Sequence, residues 1–212
     1  MSLVEMPAIA PVSLRIGPAS AGISMSPEAF DAITDFDDSV NYELIKGVLV
    51  VTPMSSRQER SPNELLGNWL FVYSQQHAQG KYVVVTLFEE YLTTRKNRRR
   101  ADRVIWVSRA GIRPDPDIDI PTIVVEFVSP GKAAWRRDYI EKRDEYLEAG
   151  VIEYWVIDRF LRQLSVYALQ AGQPTERVVN ETETYRTDLL PGFELPLAAL
   201  LAAADEWRQA DQ

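Results

Sequence analysis

One carboxylate in an otherwise unbroken apolar run constrains this chain more than any other feature. Glu126 stands inside Ile123-Val124-Val125-Glu126-Phe127-Val128, a run that reads as a strand covered on both faces. Trp135–Ala149 then follows helical spacing with Gly150 at the stop position, and Glu153–Ile157 returns to a strand pattern. Strand, helix, strand is a βαβ-like unit, which places the chain in the α/β (α+β) class, with a central mixed β-sheet flanked by helices. A carboxylate buried in such a strand is costly unless something positive or hydrogen-bonding meets it. Glu126 therefore opens onto a cleft, holds a fixed partner, or lies on an edge strand and points to water.

The side chains available for chemistry are few. The 212 residues include no cysteine, which excludes disulfides, thiolate zinc sites and cysteine nucleophiles, and a single histidine, His77, which argues against a histidine metal site or a Ser-His-Asp triad. Carboxylates, lysine, arginine and tyrosine remain, a set that favours hard cations such as Mg2+ or Mn2+. A net charge of −8 argues against coating nucleic acid non-specifically, while leaving room for a local basic patch. No apolar run has the length of a membrane span, and the start of the chain lacks a signal-peptide pattern. The expectation is a cytoplasmic protein that makes no membrane contact.

Residues 1–24 read as a flexible N-terminal arm, and residues 25–212 as a single domain. Ser26-Pro27-Glu28 opens a short helix. Tyr42 to Thr52 reads as two strands turning at Lys46-Gly47. Ser61-Pro62-Asn63-Glu64 reads as a capping box opening a helix that runs to about Gly80. Strands are expected at Tyr82–Phe88, Glu90–Thr94, Arg103–Val107, Glu153–Ile157 and Gln163–Ala168, with more near Glu176–Arg186 and a helix after Pro196.

Asp102 leads directly into the apolar strand Val104-Ile105-Trp106-Val107, and two carboxylates at the ends of adjacent strands can converge on one divalent ion. On the helix after the Glu126 strand, Tyr139, Lys142 and Tyr146 share a face through i+3 and i+4 spacing. Arg143 reads as nearer the centre of that stripe, and Trp135 lies on it too. Lys142 either borders the sheet-facing stripe or carries its head to solvent. Arg98, Arg99, Arg100 and Arg103 flank Asp102 and read either as a solvated hairpin tip or as a phosphate clamp for nucleic acid. Trp69, Trp106, Tyr154 and Trp155 are expected in the core, and His77 at the surface.

Four segments together resemble a known family. They are Tyr42-Glu43-Leu44-Ile45-Lys46-Gly47, Val125-Glu126-Phe127-Val128-Ser129-Pro130, Asp138-x-x-x-Lys142-x-x-x-Tyr146, and Ala149-Gly150-Val151-Ile152-Glu153-Tyr154-Trp155-Val156-Ile157-Asp158. The family is the Uma-type (DUF820-like) restriction endonucleases of the PD-(D/E)XK nuclease superfamily, and the likeness runs from about Ser26 to Leu200. It implies a restriction-endonuclease-like core and a Mg2+ (or Mn2+) ion held by Asp102, Glu126 and a backbone carbonyl near Phe127. It also implies Lys142 as the catalytic amine and Glu43 as the acidic residue that many superfamily members bring to the metal. Ala101 stands where the Pro-Asp motif has proline, and Val128 occupies the usual lysine slot, so Lys142 on the next helix takes that part. Pro114-Asp115 and Pro116-Asp117 match the letters of the motif better, but they precede no apolar strand directly. The implied substrate is DNA, and the implied assembly a homodimer. The alternative is a catalytically degenerate nuclease fold that serves as a nucleic-acid or protein binding module.

Overall fold

The structure, a computed structural model, describes residues 14–94 and 96–207, apart from the side chain of Val84. The chain divides into two compact units. One comprises the described residues up to Met54 together with Lys96–Arg98, and the other the described residues of Ser55–Arg95 and Arg99–Gln212.

In the first unit, β1 (Arg15–Ile16) pairs in parallel with β2 (Asp35–Phe36), and α1 (Pro27–Asp31) lies between them in sequence. The Ser26 hydroxyl caps α1 by accepting from the Ala29 amide at 3.2 Å, as the Ser-Pro-Glu pattern requires. β3 (Val40–Ile45) and β4 (Val48–Pro53) form an antiparallel hairpin. Its two-residue turn has Lys46 at φ 51° and Gly47 at φ 77°, the positive pair that matches the twist of the flanking strands. Leu44 of β3 pairs with Arg98. Ile16, Tyr42 and Leu49 make a small core, with Met25, Phe30 and Val40 packed on it. Within the stretch expected to be a flexible arm, Arg15 and Ile16 pair with β2, and Ile16 fills an apolar site. Residues 1–13 lie outside the described residues.

In the second unit, α2 (Arg57–Gln76) precedes β5 (Val83–Thr93), β6 (Arg98–Val107, its first residue belonging to the other unit) and β7 (Ile123–Phe127). A segmented helix follows: α3 (Lys132–Arg136), a π-helical turn (Arg137–Lys142) and α4 (Arg143–Ala149). β8 (Glu153–Asp158), β9 (Gln163–Gln170), β10 (Gln173–Asn180), the short pair β11 (Thr184–Tyr185) and β12 (Leu195–Pro196), and α5 (Leu197–Asp205) complete it. The strands lie in the order β10-β9-β8-β7-β6, with β5 also on β6. β7 and β8 are parallel, while β6–β7, β8–β9 and β9–β10 are antiparallel. The central mixed sheet flanked by helices is the class expected from the sequence.

Alternation along β7 divides the core. Ile123, Val125 and Phe127 face a layer with Leu66 and Leu70 of α2 and Leu197, Leu200 and Leu201 of α5. Val124 belongs to the opposite layer, with Tyr139, Tyr146 and Leu147 of the segmented helix. By period-two spacing Glu126 shares that second face. Because β7 lies between β6 and β8, the edge-strand reading of Glu126 fails.

α2 begins five residues earlier than the Ser61 capping box predicted, with Ser56 as its N-cap. Ser56 and Glu59 form their own capping box, the Glu59 carboxylate accepting from the Ser56 amide at 2.6 Å, and Pro62 sits inside the helix. Two Ser-x-x-Glu patterns lie in tandem here, and the upstream one prevails at the loss of the single intrahelical bond that Pro62 cannot donate. Gly67 serves a different purpose. A Cβ there would lie 2.7 Å from the Arg103 guanidinium, which is fixed by Asn63 and Thr86. Gly67→Ala is therefore expected to destabilise by about 1–3 kcal/mol despite its better helix propensity, through overpacking. A shifted urea midpoint at unchanged slope checks this.

Candidate active site

The last registered pair between β6 and β7 is Arg103↔Val125, so Asp102 and Glu126 flank the end of that ladder. The Asp102 carboxylate accepts from the Phe127 amide at 2.7 Å, which ties the two strand ends together. Asn63 of α2 donates to the Asp102 carbonyl at 2.8 Å while accepting from Arg103 at 2.7 Å. This chain of bonds fixes the backbone at Asp102 from the α2 side of the sheet.

Glu126 is 2% exposed and has found a fixed partner. The Lys142 ammonium donates to Glu126 Oε1 at 2.8 Å and to the Arg100 carbonyl at 2.9 Å. The Tyr146 hydroxyl donates to the same Oε1 at 3.0 Å. The three residues singled out in the sequence, Asp102, Glu126 and Lys142, are thus brought together at the open end of β6 and β7. Lys142 is buried rather than snorkelling.

The segmented helix explains how. The wide turn at Arg137–Lys142 buries Asp138, Tyr139 and Lys142, after which Tyr146 and Leu147 continue the buried face. Uniform 3.6-residue spacing had set Arg143 near the centre of this stripe and Trp135 upon it. The extra backbone of the π-turn displaces both. Arg143 pairs with its neighbour Asp144 at 2.7 Å, and Trp135 is 43% exposed, stacked on Tyr139.

Burial pushes the Asp102 carboxyl up to about 6, against the pull of the Lys142 charge and the Phe127 amide. Burial also raises Glu126 well above the ordinary carboxylate range, with Lys142 opposing and the Asp102 and Asp138 charges adding to the rise. Two carboxylates of raised proton affinity, one of them raised in part by the charge of the other, form a site that a dication relieves. Among the described residues, the hydrogen bonds to Glu126 fall on Oε1 and that to Asp102 on Oδ2, so each carboxylate has a second oxygen able to take a metal. Hard oxygen donors suit Mg2+ or Mn2+, which bind through one or two carboxylates and fill the remaining shell with water and phosphate. Among the described residues no group of three His, Cys, Asp or Glu side chains converges at metal-binding distance. The residues present fit a two-carboxylate site completed by main chain, water and substrate.

Sequence reasoning missed several neighbours. Asp138 is wholly buried, held by Arg137 at 2.8 Å, and its charge bears on both site carboxylates. Glu59 is 6% exposed, its Oε1 accepts no hydrogen bond, and its charge adds to the upward push on Asp102. It lines a small pocket with Phe127, Val128 and Arg159. The Asp138-x-x-x-Lys142-x-x-x-Tyr146 spacing and the four-residue step from Glu59 to Asn63 on one face of α2 were the available signals.

The arginines at β6 are placed otherwise than a surface clamp requires. Arg99 and Arg103 are buried, Arg99 against Glu145 and Arg103 against Asn63 and Thr86. Arg100 pairs with Glu89 at 2.8 Å, and in the first unit Arg98 pairs with Asp31 at 2.6 Å. Glu43 is buried on β3 of that unit. Asp115 and Asp117 lie in the loop before β7, exposed, with Asp115 accepting from the Asp117 amide, as turn residues do.

Residues 27–198 match the Uma2 family, described as "Putative restriction endonuclease". The chain belongs to this family. Among solved structures, the Uma2 chain is similar to a protein from Anabaena variabilis described as "a putative nuclease belonging to DUF820". The two share 13% sequence identity with a TM-score of 0.69, over 85% of this chain and 99% of that one. At that identity the likeness shows the fold, which is the restriction-endonuclease-like core the sequence implied. No curated protein matches the chain. No helix among the described residues is long and apolar enough to cross a membrane.

Proposed function

We propose that this Uma2 protein is a divalent-metal-dependent nuclease that hydrolyses DNA phosphodiester bonds at the Asp102–Glu126–Lys142 cluster. One observation carries the reading. A strongly buried carboxylate, Glu126, meets a buried ammonium beside a second carboxylate whose proton affinity is raised, an expensive arrangement for structure alone. Asp102, Glu126 and the main chain at Phe127 would hold the ion, which supplies an acidified water and polarises the scissile phosphate. Lys142 turns one N–H toward that water or toward a phosphate oxygen, offsetting charge that grows in the transition state. Asn63 and Arg103 keep Asp102 in place, and the apolar layers on both sides of β7 exclude bulk water.

The test is Mn2+-dependent cleavage of double- and single-stranded DNA by the wild type beside Asp102→Asn, Glu126→Gln and Lys142→Ala. Each substitution is expected to lower turnover by about 100-fold or more. Undiminished cleavage by all three would place the chemistry elsewhere. The alternative, a nuclease fold kept as a binding module, draws on Ala101 and Val128 standing where the superfamily motif has proline and lysine. DNA binding without any Mn2+ binding would favour it.

A further inference from the structure

We infer that Tyr146 is a positioning residue for the metal site, holding Glu126 when Lys142 turns to the substrate. This inference rests on the proposed nuclease reading. Glu126 Oε1 receives two donors, Lys142 at 2.8 Å and Tyr146 at 3.0 Å. They differ in freedom. Lys142 ends a flexible stem and has work to do at the phosphate. Tyr146 is 0% exposed, and its ring meets Tyr154 edge-on at 5.2 Å. Tyr154 meets it through the ring alone, and its own hydroxyl goes elsewhere, donating to the Asp138 carbonyl at 2.9 Å. The phenol is therefore a rigid donor whose direction the core sets.

Two donors on one oxygen orient the carboxylate so that the other oxygen is left for the cation. When the ammonium leaves to meet water or phosphate, Tyr146 is the donor that still fixes the carboxylate plane. A carboxylate ligand released from such a bond loses orientation, and outer hydrogen bonds of this kind are worth about 10–100-fold in metal affinity. The hydroxyl acts here as a donor only and keeps its proton throughout.

Mn2+ titration calorimetry on the full chain, with Mn2+ electron paramagnetic resonance as a second readout, tests this with Tyr146→Phe and Tyr154→Phe. Tyr154→Phe removes an equally buried hydroxyl from the neighbouring ring and serves as the control for general loosening. Tyr146→Phe is expected to weaken Mn2+ binding by about 10-fold or more and to raise the Mn2+ concentration needed for half-maximal cleavage, with KM for DNA unchanged. Tyr154→Phe is expected to bind Mn2+ as the wild type does. Wild-type Mn2+ affinity in Tyr146→Phe, or an equal loss in Tyr154→Phe, overturns the assignment and leaves the nuclease reading standing. A wild type that binds no Mn2+ overturns both. Should Tyr146→Phe fail to fold, Tyr146→Met, which fills much of the space without a donor, enters the same titration under the same criteria.

Discussion

Lys142→Met is expected to lower the unfolding free energy by about 3–5 kcal/mol, the usual cost of removing one partner of a buried ion pair. The loss should appear as a fall in the urea midpoint without a change in slope. Both side chains of the pair are at most 4% exposed, so neither survivor can recover hydration where it stands. In Lys142→Met the Glu126 carboxylate keeps the Tyr146 hydroxyl and loses the charge that opposes its protonation. In Glu126→Leu the ammonium loses the carboxylate to which it donates. The double variant Glu126→Leu/Lys142→Met removes both charges and is expected to match the wild type or to exceed it by about 1–4 kcal/mol, with cleavage abolished. Strictly additive losses in the double variant would show that the two residues do not act as a pair.

The second large effect is a stability that depends on pH in opposite senses with and without metal. The Asp102 carboxyl, ordinarily at 3.8, is pushed up to about 6 by burial. A raised carboxyl binds its proton more tightly in the folded than in the unfolded protein. Its stabilising contribution is full below pH 4 and is lost as pH rises through 6. The metal-free protein should lose stability of the order of 3 kcal/mol across that window from Asp102 alone. Glu126, also shifted upward by burial, extends the decline to higher pH. At the proposed site Mn2+ would bind the deprotonated carboxylates, so its stabilising effect should grow over the same range. Melting curves from pH 4 to 8, with Mn2+ and with chelator, should therefore diverge as pH rises. Asp102→Asn should flatten the metal-free decline between pH 4 and 6. A metal-free protein that gains stability over that window would contradict the burial of Asp102.

Much of this was legible in the chain itself, and particular residues show why. Glu126 stood out because a carboxylate in Ile123–Val128 breaks an apolar pattern at one position, and a pattern with one exception points to its own exception. Tyr139, Lys142 and Tyr146 were visible as one helix face through their spacing, and the mixed sheet followed from strand, helix, strand. What was hidden depended on distant partners or on local competition. The arginines at the start of β6 looked like a basic surface because their acids, Asp31, Glu89 and Glu145, lie on other elements, two of them far away in sequence. The start of α2 was misplaced because two capping boxes compete within a few residues. Glu59 was passed over because, as a helix cap, it already had an ordinary explanation, while its second oxygen faces the protein interior without a donor. Arg143 was drawn into the stripe because uniform periodicity cannot foresee a π-turn.

That π-turn bears on how the chain tolerates changes in length. A wide turn is equivalent to one supernumerary residue lodged in a helix. Upstream of Arg137 the helix keeps one angular phase, and downstream of Lys142 another, offset by about the 100° that a single residue contributes. Deleting one residue within 137–141 would let the helix wind evenly and would swing its upstream half, Trp135 and Ala134 included, round by that angle relative to Lys142 and Tyr146. An insertion or deletion in the exposed loop before β7 moves no such phase. The segment that carries Lys142 is thus less able to gain or lose a residue than that loop is.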